Sequence, residues 1–194
     1  MTPYARLLHL PLMPNYRRVF IPGGTWFFTV NLLERRQRLL TENIGLLRRA
    51  FAKTKHGYPF RIEALVILPD HLHAVLTLPP DDADFSTRWR LINTRFAKSL
   101  PKTERLSAVR QEKGERGIWQ RRYWEHYIRD ECDFRNHVAY CYYNPVKHGH
   151  AARIKAWPHS TYHRDVRVGR FESDWDMSDV KGKGFGEIIA DDDK

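Results

Sequence analysis

The chain has only two cysteines, Cys132 and Cys141, among 194 residues. That is too few for a disulfide scaffold, and the expectation is two reduced thiols in a cytoplasmic, nucleoid-associated protein. No run of about 18 apolar residues occurs, so no membrane-spanning helix and no membrane partner is expected. No self-repeat of about 20–50 residues occurs, which argues against a solenoid or propeller. The first twelve residues carry one Arg and a Pro-interrupted apolar patch, too little for a signal peptide.

Acidic residues are scarce over most of the length. Eight of the 23 Asp and Glu, and three of the 33 Lys and Arg, fall within residues 171–194. Residues 1–170 therefore hold 30 basic and 15 acidic side chains, a formal +15 against −5 in the tail. A body so basic is expected to meet phosphate backbones. The acidic tail reads equally as a regulator or as a solubility device. The length fits one domain, with a hydrophobic content of 42% for its core. The expected division is an N-terminal extension at 1–13, a domain at 14–170 and the acidic tail at 171–194.

Thr25 to Leu33 is β-branched and aromatic after Gly23-Gly24 and predicts a strand. Thr41-Glu42-Asn43 opens a helix with apolar residues at Ile44, Leu47 and Phe51, ended by His56-Gly57 and Pro59. Phe60 to Leu68 and His71 to Leu78 predict two strands around Pro69-Asp70. Asp84 opens a helix through Trp89, Ile92 and Phe96, with Arg88, Arg95 and Lys98 on its polar face. Residues 101–117 lack periodicity and predict a long surface loop. A fourth strand follows within 118–128. Asp130 or Asp133 then caps a helix ending at Tyr143, before Asn144-Pro145. The order strand, helix, strand, strand, helix, strand, helix predicts an α+β, ferredoxin-like split βαβ fold with an antiparallel sheet.

Alternation along the third strand puts His71 and His73 on one face with Val75 and Thr77, and Leu72, Ala74 and Leu76 on the other. Two imidazoles so placed can share a metal ion. On the last helix, at about 100° per residue, Phe134, Val138 and Cys141 form the expected buried face. Tyr140 and Asn144 are an i, i+4 pair expected together on the exposed side. A phenol can act as a nucleophile, and an amide oxygen can ligate a hard cation. Taken together, the strand and the helix suggest a phosphoryl-transfer site. With ten histidines, a His-x-His pair also arises by chance, and a helical tyrosine more often packs than attacks. A second pair, His148 and His150, lies in a Gly-containing loop without strand periodicity and is set aside.

Several stretches carry a family resemblance. They are Leu68-Pro69-Asp70-His71-Leu72-His73, Trp119 to His126, and Tyr140-Cys141-Tyr142-Tyr143-Asn144-Pro145-Val146-Lys147-His148-Gly149. Tyr16-Arg17-Arg18, Gly23 to Val30 and Trp157-Pro158-His159-Ser160-Thr161 add to them. Over residues 14–170 the chain resembles the REP-associated tyrosine transposases, single-tyrosine relatives of the HUH endonucleases. The resemblance implies a sequence- and structure-specific DNA endonuclease and strand transferase. It would cut and rejoin single-stranded DNA beside repetitive extragenic palindrome hairpins through a 5′-phosphotyrosine. By the same resemblance Tyr140 is the nucleophile, and His71, His73 and Asn144 hold Mg²⁺ or Mn²⁺. Charge and aromaticity suggest DNA contacts at Arg17, Arg18, Arg88, Arg95, Lys98, Trp119, Arg121, Arg122 and Lys147. A monomer is favoured over a dimer. The alternative is a catalytically idle protein that binds DNA or RNA hairpins.

Overall fold

The computed structural model describes residues 20–175. In chain order the elements are β1 (Thr25–Asn31), α1 (Leu39–Glu42), α2 (Ile44–Gly57), β2 (Arg61–Ile67), β3 (His71–Thr77) and α3 (Phe85–Ser99). Then follow α4 (Ala108–Glu112), β4 (Trp124–Tyr127), α5 (Glu131–Lys147), a 3-10 turn (Ile154–Ala156) and α6 (Tyr162–Arg167). The sheet order is β2-β3-β1-β4 and every pairing is antiparallel. This is the expected ferredoxin-like arrangement. The connection between β2 and β3 is a tight turn, with Leu68 N–H donating to the His71 carbonyl at 2.9 Å.

The sheet has two covered faces, and the alternation of β3 decides which residue goes where. Leu72, Ala74 and Leu76 join Phe28, Val30, Leu47, Phe51, Trp89 and Phe96 in a core beneath α2 and α3. Val75 joins Phe27, Val66, Val138 and Cys141 on the opposite face, beneath α5. The histidines share that second face. Asp84 caps α3 by accepting from Thr87 N–H at 2.9 Å, and Asp130 caps α5 by accepting from Asp133 N–H at 2.9 Å.

Three expectations change. The loop at 101–117 contains α4 and is tied down by Arg116, which donates to the carbonyls of Ala97 at 2.6 Å and Pro101 at 2.9 Å. α5 does not stop before Asn144-Pro145 but runs through them to Lys147. Pro145 has no N–H for the Cys141 carbonyl one turn back, but the bonding resumes beyond it, where His148 N–H reaches the Asn144 carbonyl at 3.0 Å. The segment after Gly149 is also more ordered than expected. Ile67 N–H donates to the His159 carbonyl and Thr161 N–H to the Leu65 carbonyl, each at 2.9 Å, so this segment runs along the outer edge of β2.

Candidate functional site

β3 brings His71 and His73 to the α5 face with ring centroids 5.0 Å apart. Register sets their supports. His73 lies opposite Thr29 on β1, whose hydroxyl is 2.9 Å from Nδ1. His71 Nδ1 is 2.7 Å from the Asp70 carboxylate and 3.4 Å from Arg35 Nη2. Arg35 Nε in turn donates to Asp70 at 2.5 Å. Burial works against ionisation of Asp70, but hydrogen bonds and charge from His71 and Arg35 outweigh it and hold its pKa at about 2. Each imidazole is thus held at Nδ1 by an oxygen, a support that fixes the ring's orientation and is common behind histidines that ligate a metal through Nε2. Both rings are almost wholly buried.

α5 supplies the other half. It packs on β2 and β3 of its own chain. Tyr140 meets His73 edge-on at 5.1 Å between centroids and Phe27 at 5.8 Å. Asn144 lies one turn further along the helix and is fully buried. The i, i+4 pairing holds, but its expected exposure does not: Tyr140 is only 4% exposed. The wheel assumed a single core. In the fold one side of α5 lies on the sheet, and another is covered by Ile154, Trp157 and Tyr162 of the C-terminal segment. With two walls, Cys141 and Tyr140 are both inside.

The structure also separates the clustered tyrosines. Tyr142 is fully buried and donates its hydroxyl to the Asp165 carboxylate. Burial and that hydrogen bond push its pKa far above the ordinary phenol range, so it is a packing residue. Tyr143 packs against the C-terminal side of the same cluster. Tyr140 is the one beside the histidines, and Lys147 Nζ donates to its hydroxyl at 3.3 Å. The i, i+7 spacing of Tyr140 and Lys147, two turns apart on one helix, was the sequence signal for this contact. Exposed His148, set aside above, sits 5.2 Å from the His71 ring. Lys147 and His148 therefore border the outer edge of the buried cluster.

The expected DNA contacts divide. Arg17 and Arg18 lie outside the described residues. Arg88 is not a surface cation. It is 1% exposed, bonded to Asp82 at 2.6 Å and to the Pro59 carbonyl at 2.7 Å. Trp119 cannot stack on a base, because it is packed on Phe96 at 5.6 Å with Nε1 donating to the Asn93 carbonyl. Arg95 bridges α3 to α2 through Thr54 Oγ1 at 2.6 Å. Lys98 is exposed, but on the helical layer behind the sheet, away from the histidines. Arg121 is exposed and paired with Glu115 at 3.0 Å, and Arg122 is exposed. Cys132 and Cys141 are both free thiols. No helix of the described residues is long and apolar enough to cross a membrane.

Comparison with known proteins gives the site its context. No family model matches the chain. It is 48% identical over 177 residues to the REP-associated tyrosine transposase of Escherichia coli (strain K12), covering 91% of this chain and 99% of the relative. The chain belongs to the REP-associated tyrosine transposases. A Haemophilus influenzae relative is 46% identical over 174 residues. A REP-associated tyrosine transposase solved with a bound REP hairpin superposes with a TM-score of 0.77 at 47% identity, covering 91% of this chain and 99% of that one. Family membership thus spans the whole described fold, including both halves of the histidine–tyrosine cluster.

Proposed function

We propose that this transposase cuts and rejoins single-stranded DNA beside hairpins through Tyr140, with a divalent ion held by His71, His73 and Asn144. The observation that carries this reading is the contact of the Tyr140 ring with His73 across the α5–β3 interface. The donor set fits such an ion. Two imidazoles fixed at Nδ1 offer Nε2, and the buried Asn144 offers an amide oxygen. Imidazole donors suit Mn²⁺ better than Mg²⁺, which prefers oxygen. A divalent ion there would neutralise charge on the scissile phosphate and orient the leaving oxygen.

The chain's own residues would do the rest. Tyr140 Oη attacks phosphorus, an O–P bond forms, the P–O3′ bond breaks and the phenol gives up its proton. The products are a 5′-phosphotyrosine and a 3′-hydroxyl, which takes up a proton. Attack by a 3′-hydroxyl on the phosphotyrosine reverses these steps and rejoins DNA. Lys147, 3.3 Å from the phenol oxygen, favours negative charge there as the proton leaves.

Because a relative of known structure binds a REP hairpin, the test substrate is a REP-like hairpin with a single-stranded flank. With Mn²⁺ or Mg²⁺, the wild-type chain should form a covalent protein–DNA adduct on a denaturing gel. Tyr140→Phe should form none while retaining hairpin binding, and His71→Ala should lose metal-dependent cleavage. Equal cleavage by Tyr140→Phe would remove Tyr140 from the mechanism. Hairpin binding without any adduct in the wild type would favour the idle binder.

A further inference from the structure

A second group of metal-ligating side chains lies outside the histidine–tyrosine cluster. His126 on β4 and Asp133 and His137 on the first turns of α5 place one donor atom each within 4.8 Å of one another. His126 Nε2 is 3.1 and 2.9 Å from the two Asp133 carboxylate oxygens. His137 Nδ1 is 3.0 Å from Asp133 Oδ1 and 2.8 Å from the Asp133 carbonyl. The two imidazoles are stacked, 4.6 Å apart and tilted by 18°. Trp124 backs His126 at 5.8 Å and Phe27 backs His137 at 4.8 Å, so both rings are held by packing. His137 is buried, and Asp133 and His126 are partly covered, with side chains 9% and 26% exposed.

From this geometry we infer that His126, Asp133 and His137 bind a transition-metal ion of the Zn²⁺ class, separate from the ion of the cleavage site. Two imidazoles and a carboxylate are the donor set of an open zinc site, with a fourth position for water. Bonds of about 2.0–2.1 Å in a tetrahedron separate ligand atoms by roughly 3.3 Å. The two ring nitrogens lie 3.1 and 3.0 Å from one oxygen, Asp133 Oδ1, a few tenths of an ångström inside that spacing, and no two of the three donor atoms are more than 4.8 Å apart. Nitrogen donors discriminate against Mg²⁺. Without the ion, the protons shared between the imidazoles and Asp133 hold the cluster together, and binding displaces them.

Two further features bear on binding. Burial lowers the His137 pKa, which favours the neutral imidazole, the form that ligates a metal. Arg129 competes, since its backbone N–H and Nε both reach Asp133 Oδ2, at 3.1 and 3.2 Å. Its side chain is 70% exposed, so it can turn outwards while Asp133 turns its other oxygen to the ion. The bound ion would clasp the edge strand β4 to the helix that carries Tyr140 three residues beyond His137. It makes no use of His71 or His73, so it stands whether or not they are ligands.

The test uses the untagged full-length chain, stripped of metal and carrying His71→Ala and His73→Ala. Zn²⁺ stoichiometry after gel filtration should be one equivalent, and Co²⁺ should give the visible absorption of four-coordinate cobalt. Adding His126→Gln, which keeps an N–H donor for Asp133, should abolish both signals. Zn²⁺ at about a hundred times its Kd should raise Tm by about 5–10 °C in the starting variant and not after His126→Gln. No binding by the starting variant would overturn the inference. So would one equivalent that survives His126→Gln together with His137→Ala.

Discussion

Lys147 is the side chain whose meaning changes most between sequence and structure. By charge it is one more phosphate contact, but its Nζ donates to the Tyr140 hydroxyl and lies 5.0 Å from the ring centroid. A cation so placed matters most when the phenol loses its proton, so its removal should slow chemistry more than binding. Lys147→Met is expected to lower the single-turnover rate of adduct formation by about 10²-fold, as for loss of one transition-state donor. Lys147→Arg should recover part of that rate. An equal loss of hairpin affinity with unchanged single-turnover rate would return Lys147 to the phosphate backbone. Thr29 makes a second case. Its hydroxyl holds His73 Nδ1, and Thr29→Val keeps the shape but removes the oxygen. Loss of such a partner costs about 10–100-fold in metal affinity. Mn²⁺ titration of cleavage should therefore shift to higher concentration by that factor, while saturating Mn²⁺ restores much of the rate.

Among the elements, β3 was legible because alternation is a local property and both faces are buried. The pattern His71, His73, Val75 against Leu72, Ala74, Leu76 appears unchanged in the two cores. α5 was legible only in part. Its i, i+4 pairing of Tyr140 and Asn144 follows from helical geometry alone. Its burial depends on the C-terminal segment laid along β2, which no periodicity in α5 reports. α3 misled for a similar reason. By charge Arg88 belongs on the polar face, but at i+3 from Phe85 and i−4 from Ile92 it borders the apolar stripe, and the loops before β2 and α3 present oxygens to it, from the Pro59 carbonyl and the Asp82 carboxylate. Arg88→Ala would leave the Pro59 carbonyl without its donor and open a cavity under α3. The expected cost is about 2–4 kcal/mol, read from urea unfolding. Hairpin affinity of the folded variant should stay near wild type. A large affinity loss at unchanged stability would restore Arg88 as a DNA contact.

The whole molecule is a two-faced sheet whose α5 face carries the histidine–tyrosine cluster and whose charge is divided along the chain. Acid should act on the fold in part through Asp70 and Asp133, the carboxylates that tie β3 to Arg35 and α5 to β4. Both are held at about 2 against an ordinary 3.8: burial alone would raise them, but bonds from His71 and Arg35, and from His126 and Arg129, prevail. A depressed folded pKa means stability that is complete above about pH 4 and lost as pH falls towards 2. Tm should therefore drop through that window, and less steeply in Asp70→Asn. Charge division supplies the other test. Residues 176–194 hold six acids and three lysines, so their removal takes the formal charge from +10 to +13. The cut belongs after Trp175, because Phe171 packs on Tyr142 at 5.3 Å and Trp175 on Phe171 at 5.0 Å. If the acids compete with DNA for the basic body, the shortened chain should bind a hairpin more tightly at low salt. The gap should close as the Debye length falls from about 10 Å at 0.1 M towards 3 Å at 1 M. Affinities that coincide at every salt concentration would leave these acids with solubility alone.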